Sequence, residues 1–461
     1  MSLLVSAGKG ALTRTSLPCT IPSVTVLAET RRYASRRRAK ARKEQKTASV
    51  QRDASGNPIY AKKDRTPPLF TALPVAQLTE PVFETDKRPD VKFPSFPAEA
   101  ITKENIGKVM EFSSSKDAVA KFGLPKKVWK DFKLLNKPYT VVRGATVDIV
   151  DALTKASESP SKDSRLALSG TSGSGKSYVL FQAVDWAVAN GWLVLYLPRA
   201  VNFVNSTTTY TYDPRTQTFL QPEAAYQTLH RAREANKGIL ENIKASSALA
   251  ADGVKPISAG TVLYDAMNVT REEVASAPVI LDWVMSELEV QTDYPVLLAI
   301  DDFQALFNRT SYRDPHFKPI ASYHLSMPRL LLSYASGRRS FARGAVVGSL
   351  TSSDPQFPIT PELDSSLDLA SYNENDAPKL TMPWPYVQHS RFLSEYAGGL
   401  VNIRVPRQLS MDEAGAVYEI WMEHRFMSSK AHDELFMSKY VESGGNARDF
   451  VWKGLLGTLQ T

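Results

Sequence analysis

A glycine-rich segment at residues 170–177 has the residue types and spacing for phosphate chemistry. It reads Gly-Thr-Ser-Gly-Ser-Gly-Lys-Ser, the complete pattern G-x-x-x-x-G-K-S. Glycines at these positions let backbone N–H groups close around phosphate oxygens. Lys176 would place a point charge on the β- and γ-phosphates, and the Ser177 hydroxyl can ligate Mg²⁺. The segment therefore predicts a site for a nucleoside phosphate.

The residues on either side supply the structure that such a loop needs. Residues 165–169 read as a short buried strand, and residues 178–189 as a helix that stops at Asn190-Gly191. A helix that starts at the loop points its positive dipole end at the phosphates. A plain glycine-serine linker would not be bracketed by a buried strand and an apolar helix. We expect nucleotide contacts from Gly170, Thr171, Ser172, Gly173, Ser174, Gly175, Lys176, Ser177 and Tyr178.

An acidic pair follows a second apolar run, at residues 295–300. A strand that ends in Asp301 would hold Mg²⁺ at a sheet edge, so Ser177 and Asp301 are the predicted metal side chains. Asp302 stands where many ATPases of the additional-strand class keep a water-activating glutamate, which makes it a candidate catalytic residue. Aspartate is one methylene shorter, however, and Asp302 could equally be a turn or helix-cap residue. The sequence leaves both roles open.

Two more apolar runs, at 192–197 and 345–350, complete a parallel sheet. The ligand crevice of an open α/β sheet lies at the carboxyl ends of its strands, which agrees with the position of the glycine-rich segment. Polar residues 351–353 could sense a γ-phosphate or form a loop without that role. We therefore predict an α/β fold, a P-loop NTPase of the additional-strand, AAA+-like class. The sequence does not determine whether the nucleotide carries adenine or guanine, because the N-K-x-D pattern that recognises guanine is absent.

The C-terminal residues 386–461 are predicted to form a helical, lid-like region, because apolar residues recur at helical spacing. Residues 443–448 read Ser-Gly-Gly-Asn-Ala-Arg, which is similar to the step at the start of a lid helix in AAA+-like ATPases. Arg448 would then face the phosphates as a further nucleotide contact. A plain helix start explains the same residues more simply.

The composition limits the class of protein. Of 461 residues, 43% are hydrophobic and 23% charged, which is typical of a globular protein with a substantial core. A single cysteine, Cys19, excludes a disulfide framework, and the six histidines lack zinc-ligand spacing. No apolar run reaches the about 18 residues of a membrane-spanning helix.

The net charge of +8 is concentrated at the N-terminus. Residues 1–46 hold 11 Lys and Arg against two Glu, a net +9, so the remaining 415 residues carry −1. Residues 1–33 have the composition of a mitochondrial presequence; a disordered N-terminus without an address is the alternative. The basic run 34–46 suits phosphate backbones, and prolines up to residue 100 predict an extended arm over 34–100. The nucleotide-binding α/β domain with its lead-in segment would then span 101–385.

These motifs together resemble the death-associated protein 3 family, nucleotide-binding proteins of the mitochondrial small ribosomal subunit, in a fungal-type form. The resemblance lies in residues 170–177, 193–200, 221–224, 299–310 and 344–347, in consistent order along the chain. It implies a guanine nucleotide, GTP or GDP, with ATP not excluded, bound with Mg²⁺ and hydrolysed slowly at most. It also implies a place in the small subunit in the mitochondrial matrix, with contacts to ribosomal RNA, neighbouring ribosomal proteins and the subunit interface.

Three functions compete on this basis. The leading one is a structural ribosomal protein whose bound nucleotide stabilises folding and docking by mass action. The alternative is an AAA+-like ATPase acting on nucleic acid, which requires turnover that depends on Asp302 and an arginine finger such as Arg338, Arg339 or Arg343. A small-molecule kinase would need an acceptor pocket and an arginine-rich lid, and the sequence shows neither clearly.

Overall fold

The computed structural model describes residues 92–96, 101–112, 122–135, 137–251, 253–369, 390–424 and 432–457. All of them lie in the unit that runs from Asp86 to Thr461. The predicted presequence, the basic run 34–46 and all but five residues of the arm predicted over 34–100 lie outside the described residues.

Strands and helices alternate through much of the described chain. The strands are β1 (Ser95–Phe96), β2 (Val109–Phe112), β3 (Tyr139–Val141), β4 (Arg165–Ser169), β5 (Leu193–Leu197), β6 (Thr211–Asp213), β7 (Thr218–Leu220), β8 (Val296–Ile300), β9 (Arg309–Arg313), β10 (Pro319–Ala321), β11 (Gly344–Ser349) and β12 (Val401–Arg404). The helices are α1 (Lys126–Leu135), α2 (Gly144–Ala156), α3 (Lys176–Ala189), α4 (Pro222–Ala235), α5 (Lys237–Leu240), α6 (Leu263–Ala266), α7 (Ala277–Val290), α8 (Ser326–Ala335), α9 (Pro361–Ser366), α10 (Arg391–Ala397), α11 (Met411–Glu423), α12 (Asp433–Glu442) and α13 (Ala447–Asp449), which a π-helical turn (Phe450–Leu455) continues. Short 3-10 helices lie at Lys103–Asn105, Ala200–Phe203, Arg271–Ser276, Phe303–Phe307 and Ser322–His324.

Five strands form one parallel sheet in the order β12-β4-β11-β8-β5. Four of them, β4, β5, β8 and β11, are almost wholly buried. Continuous apolar strands are expected where helices cover both faces of a parallel sheet. The four strands predicted from the sequence are therefore confirmed. The strand β11 separates β4, which leads into the glycine-rich loop, from β8, which leads into Asp301.

The C-terminal region is not wholly helical, so the prediction of a helical region over 386–461 was incomplete. The strand β12 extends the sheet by pairing in parallel with β4, with Val401 opposite Leu166. Its four residues, Val-Asn-Ile-Arg, are exposed or half-buried. Because an edge strand is only partly covered by the rest of the protein, its residues need not be continuously apolar. The sequence of β12 therefore lacks the apolar run that predicted the other four strands.

Alternate residues of the sheet strands face two separate cores, as the strand period of two requires. Leu166 and Leu168 pack with α2 and α3 on one face, and Ala167 and Leu195 pack with α4, α7 and α8 on the other. The helices α11, α12 and α13 build a third cluster with β2 and β3, which belong to the lead-in segment, the residues from 101 to the start of β4. The lid-like region thus packs in a hydrophobic core separate from the two sheet cores, together with residues that precede the sheet. Within the described part of the chain, no helix is long and apolar enough to cross a membrane.

Candidate functional site

The glycine-rich loop lies between β4 and α3, at the carboxyl edge of the sheet. Gly170, Gly173 and Gly175 have φ values of 149°, 84° and 93°. Gly173 also lies against Asn446, whose side-chain amide would collide with any added Cβ. A larger residue at this position would therefore suffer both backbone strain and a clash. The loop conformation depends on the predicted glycines and on close approach by the C-terminal region.

Lys176 closes the loop on itself in this structure. Its Nζ donates to the carbonyl oxygens of Gly170, at 2.8 Å, and Thr171, at 2.7 Å. Burial lowers the pKa of Lys176 to about 8, and the charge on Arg448 contributes to the lowering, while Asp301 opposes it. An ammonium held by neutral carbonyls in a buried site gains strongly from an added anion. The phosphate contact expected of Lys176 stays a prediction.

Ser177 and Asp301 come together from α3 and the end of β8. The Ser177 hydroxyl donates to Oδ1 of Asp301 at 3.2 Å, and the Asp302 backbone N–H donates to the same oxygen at 3.1 Å. Hydroxyl and carboxylate oxygens are the hard donors that Mg²⁺ prefers, so the pair fits that ion. Among the described residues, no group of three or more His, Cys, Asp or Glu could hold a metal. A Mg²⁺ ion here would complete its shell with phosphate and water oxygens.

Asp302 adopts a left-handed backbone conformation, with φ 57° and ψ 38°, directly after the buried Asp301. It occupies the position that caps the 3-10 helix Phe303–Phe307, but its side chain makes no capping hydrogen bond. Its Oδ2 lies 3.8 Å from Nε of Arg199, which follows β5. The carboxylate thus faces an arginine in this structure. The catalytic role predicted for Asp302 stays a prediction.

The C-terminal region contacts the glycine-rich loop directly. Nδ2 of Asn446 donates to the carbonyl of Ser172 at 2.9 Å, and the backbone N–H of Arg448 donates to that of Gly173 at 3.0 Å. The Arg448 guanidinium reaches the Ser172 hydroxyl at 3.3 Å. Residues 443–448 are also a plain helix start, because α13 begins at Ala447 with Asn446 as its cap. The structure brings Arg448 to the loop, and its predicted contact with a nucleotide stays a prediction.

A buried ion pair at the same loop has no counterpart in the sequence predictions. Nε of Arg143 lies 3.1 Å from Oε2 of Glu413, and both side chains are 8% exposed. Arg143 also donates to the carbonyl oxygen of Ser174 in the loop. Ser410-x-x-Glu413 is a readable capping box at the start of α11, and it forms here. No local pattern, however, could have paired Glu413 with an arginine 270 residues earlier in the chain.

These contacts surround a cavity of about 740 Å³. Its polar lining includes residues of the loop, Asp301, Asp302 and residues 351–354. Its apolar lining includes Val128, which precedes the sheet, and Ile420 of the lid-like region. The volume is in the range of about 300–1,000 Å³ that is usual for small-molecule sites. A ligand with a charged end and an apolar end matches both kinds of lining.

Removing the charge of Asp301 is expected to stabilise the ligand-free fold at alkaline pH. Burial, aided by the charge on Asp302, raises the pKa of Asp301 from 3.8 to about 7. Because the folded pKa is raised, this group's contribution to stability is complete below pH 4 and is lost as the pH rises through 7. Asp301→Asn should therefore gain stability relative to wild type between pH 5 and pH 8, by on the order of 1–3 kcal/mol. Urea unfolding at both pH values, without Mg²⁺ or nucleotide, measures it; an unchanged difference between the two proteins would contradict it.

The fold and the site together define an α/β protein with a glycine-rich loop at the carboxyl edge of a five-stranded parallel sheet. The family model described as mitochondrial ribosomal death-associated protein 3 matches residues 140–452, more than half of the chain. The chain belongs to this family. The resemblance inferred from its sequence is therefore confirmed.

Curated proteins support this assignment. The chain is 28% identical over 338 residues to the small ribosomal subunit protein mS29 of Schizosaccharomyces pombe, which covers 71% of this chain and 67% of that protein. It is 24% identical over 325 residues to mS29 of Neurospora crassa, with 69% and 67% covered. To mS29 of Mus musculus it is 25% identical over 239 residues, with 51% and 60% covered. Fungal proteins are thus among its relatives, in agreement with the fungal-type resemblance.

Proposed function

We propose that this chain is a component of the mitochondrial small ribosomal subunit that binds a guanine nucleotide with Mg²⁺ at its glycine-rich loop. Family membership and the mS29 relatives support the ribosomal part. One structural observation carries the nucleotide part. The loop is held from two sides, by Arg143 of the lead-in segment and by Asn446 and Arg448 of the lid-like region. A ligand on the loop would therefore join three parts of the chain.

The sheet supports a P-loop NTPase fold of the additional-strand class. In that class the strand before the loop and the strand before the metal-side carboxylate are not neighbours. Here β11 lies between β4 and β8, in register with both. The carboxyl ends of the three strands meet at one edge, where a ligand crevice is expected.

Each loop residue then has a definite task. The backbone N–H groups of 170–177 would surround the phosphates, and Lys176 would exchange its carbonyl partners for phosphate oxygens. Ser177 and Asp301 would hold the Mg²⁺, which supplies neutralising charge to the phosphates when bound. Arg448 reaches the loop from α13 and would add a second cation on the phosphate side.

The bound nucleotide is proposed to be structural rather than consumed. The Asp302 carboxylate lies 3.8 Å from Nε of Arg199. Its side chain is one methylene shorter than that of the glutamate which activates water in many ATPases of the additional-strand class. Binding to the folded state alone stabilises that state by mass action, whether or not hydrolysis follows. The chain is thus at most a slow NTPase, and its partners are ribosomal RNA and neighbouring ribosomal proteins. The N-terminal basic run would contact RNA backbone after removal of residues 1–33 in the mitochondrion.

A turnover measurement separates this proposal from an AAA+-like ATPase. Wild type and Asp302→Asn should hydrolyse GTP and ATP at the same low rate, because no step depends on this carboxylate. Phosphate release at saturating nucleotide and Mg²⁺ measures both proteins. A wild-type rate that falls at least tenfold in Asp302→Asn would support the ATPase instead.

Co-sedimentation tests the ribosomal assignment. The tagged chain should migrate with the mitochondrial small subunit on a sucrose gradient, and it should stay there at moderate salt. Recovery only in the free-protein fractions would contradict a structural role in the subunit.

A further inference from the structure

Asp131 is a buried carboxylate that the loop chemistry does not use. It lies on α1 in the lead-in segment and is only 9% exposed. Its Oδ2 accepts a hydrogen bond of 2.5 Å from the Tyr178 hydroxyl. Among the described residues, its Oδ1 has no hydrogen-bond partner. A buried acceptor without a partner is costly and marks a place where a donor is expected.

The position of Asp131 relates it to the glycine-rich loop. Tyr178 directly follows Ser177, so its hydroxyl links the start of α3 to Asp131. Asp131 lines the same cavity as the loop, and Val128, one helical turn before it on α1, lines it too. Ile420 and Val451 of the lid-like region are also in the lining. A nucleotide with its phosphates on the loop would then have its base near Asp131 and these apolar side chains.

At the pH of the mitochondrial matrix, the Asp131 carboxyl is mainly ionised and accepts hydrogen bonds. Burial raises the pKa of Asp131 to about 6, while the Tyr178 hydroxyl and the Trp452 indole oppose the rise. An ionised carboxylate has only acceptor sites, about four lone pairs on its two oxygens. Tyr178 donates to Oδ2, and the Trp452 indole is a second donor near the carboxylate, so a ligand would use the remaining lone pairs.

Base chemistry then discriminates between nucleotides. The edge of guanine presents two adjacent donors, N1–H and the 2-amino group, which match the two oxygens of a carboxylate. The corresponding edge of adenine presents an unprotonated N1, an acceptor that would face the carboxylate without a hydrogen bond. We propose that Asp131 is the base-reading residue of this site and selects guanine over adenine, an inference that rests on the proposed function. Tyr178 is its positioning residue.

The variant Asp131→Asn reverses one hydrogen-bond direction. An amide still accepts from N1–H, but its NH₂ faces the guanine amino group and matches the 2-carbonyl of xanthine instead. We expect the full-length variant to lose GTP affinity by about 10- to 100-fold, the range for a hydrogen bond to a charged group. It should bind xanthosine triphosphate more tightly than wild type does. Calorimetric titration with GTP, ATP and xanthosine triphosphate, each with Mg²⁺, measures the three affinities.

Two further variants complete the test. Asp148→Asn removes an exposed carboxylate of α2 that does not line the cavity and should leave all three affinities unchanged. Tyr178→Phe keeps the ring and Asp131, so it should fold even if Asp131→Asn does not, and it should reduce the preference for GTP over ATP without favouring xanthine. If Asp131→Asn still prefers GTP over ATP, the inference about Asp131 is overturned while the proposed function stands. If Asp131→Asn fails to fold, an unchanged GTP preference in Tyr178→Phe overturns it in the same way. A wild type that prefers ATP would also overturn it, and a wild type that binds none of the nucleotides would overturn the proposed function with it.

Discussion

Lys176→Ala is expected to lower the affinity for a guanosine di- or triphosphate by about 100-fold or more. The variant removes the one side chain of the G-K-S step that can place a positive charge on the phosphates, and charged hydrogen bonds are worth about 1.5–3 kcal/mol each. In the ligand-free protein the same change removes only two bonds to loop carbonyls and a partly desolvated charge. The loss should therefore appear in binding and not in folding.

The consequence extends to assembly. If a bound nucleotide joins the lead-in segment, the loop and the lid-like region, a nucleotide-free chain forgoes that stabilisation. Lys176→Ala should then be depleted in the mitochondrial small-subunit fraction relative to wild type. Lys155→Ala, which removes an exposed lysine of α2, is the matched control and should behave as wild type. Normal incorporation of a nucleotide-free Lys176→Ala chain would show that the nucleotide is dispensable for assembly.

Arg143→Ala is expected to have the largest effect on stability. It leaves Glu413 buried without its partner and removes the donor to the Ser174 carbonyl. Breaking a buried pair from one side costs about 3–5 kcal/mol, because the remaining charge is uncompensated. The loss should be accompanied by weaker nucleotide binding, since the same guanidinium supports the loop.

Two comparisons assign that loss to the buried pair. Arg391→Ala breaks an ion pair with Glu395 in which the arginine is 91% exposed, and it should cost under about 1 kcal/mol. Adding Glu413→Gln to Arg143→Ala should recover part of the stability, because the uncompensated charge is gone. Urea unfolding of Arg143→Ala, Glu413→Gln, the double variant and Arg391→Ala, each compared with wild type, measures the losses, and the first three give the coupling energy between Arg143 and Glu413. Equal losses for Arg143→Ala and Arg391→Ala would contradict a buried, loop-supporting pair.

The local features of the site could be predicted from the sequence. The loop glycines, Lys176, Ser177 and Asp301 belong to short patterns flanked by apolar strands, so residue type and spacing were enough. The four buried strands were readable for the same reason, because strands covered on both faces are apolar throughout.

The residues that join distant segments could not be predicted in this way. Arg143 meets Glu413 across 270 positions, and Asp131 meets Tyr178 across 47. Such pairs are set by tertiary packing, and in the sequence an isolated Asp within a helix, or an Arg just before one, is expected to be a solvated charge. The edge strand β12 was missed because its half-exposed residues carry no apolar pattern. The sequence thus identified the short patterns around the loop, but it could not show which distant residues meet there.

The nucleotide carried by the purified chain is the most direct test of the account. The full-length protein, isolated with Mg²⁺ throughout and then denatured, should release close to one guanine nucleotide per chain, as GDP or GTP, when the extract is separated and quantified by mass. Lys176→Ala, prepared in parallel, should release almost none. An extract without nucleotide, one dominated by adenine nucleotides, or equal release from Lys176→Ala would contradict a guanine nucleotide bound at this loop.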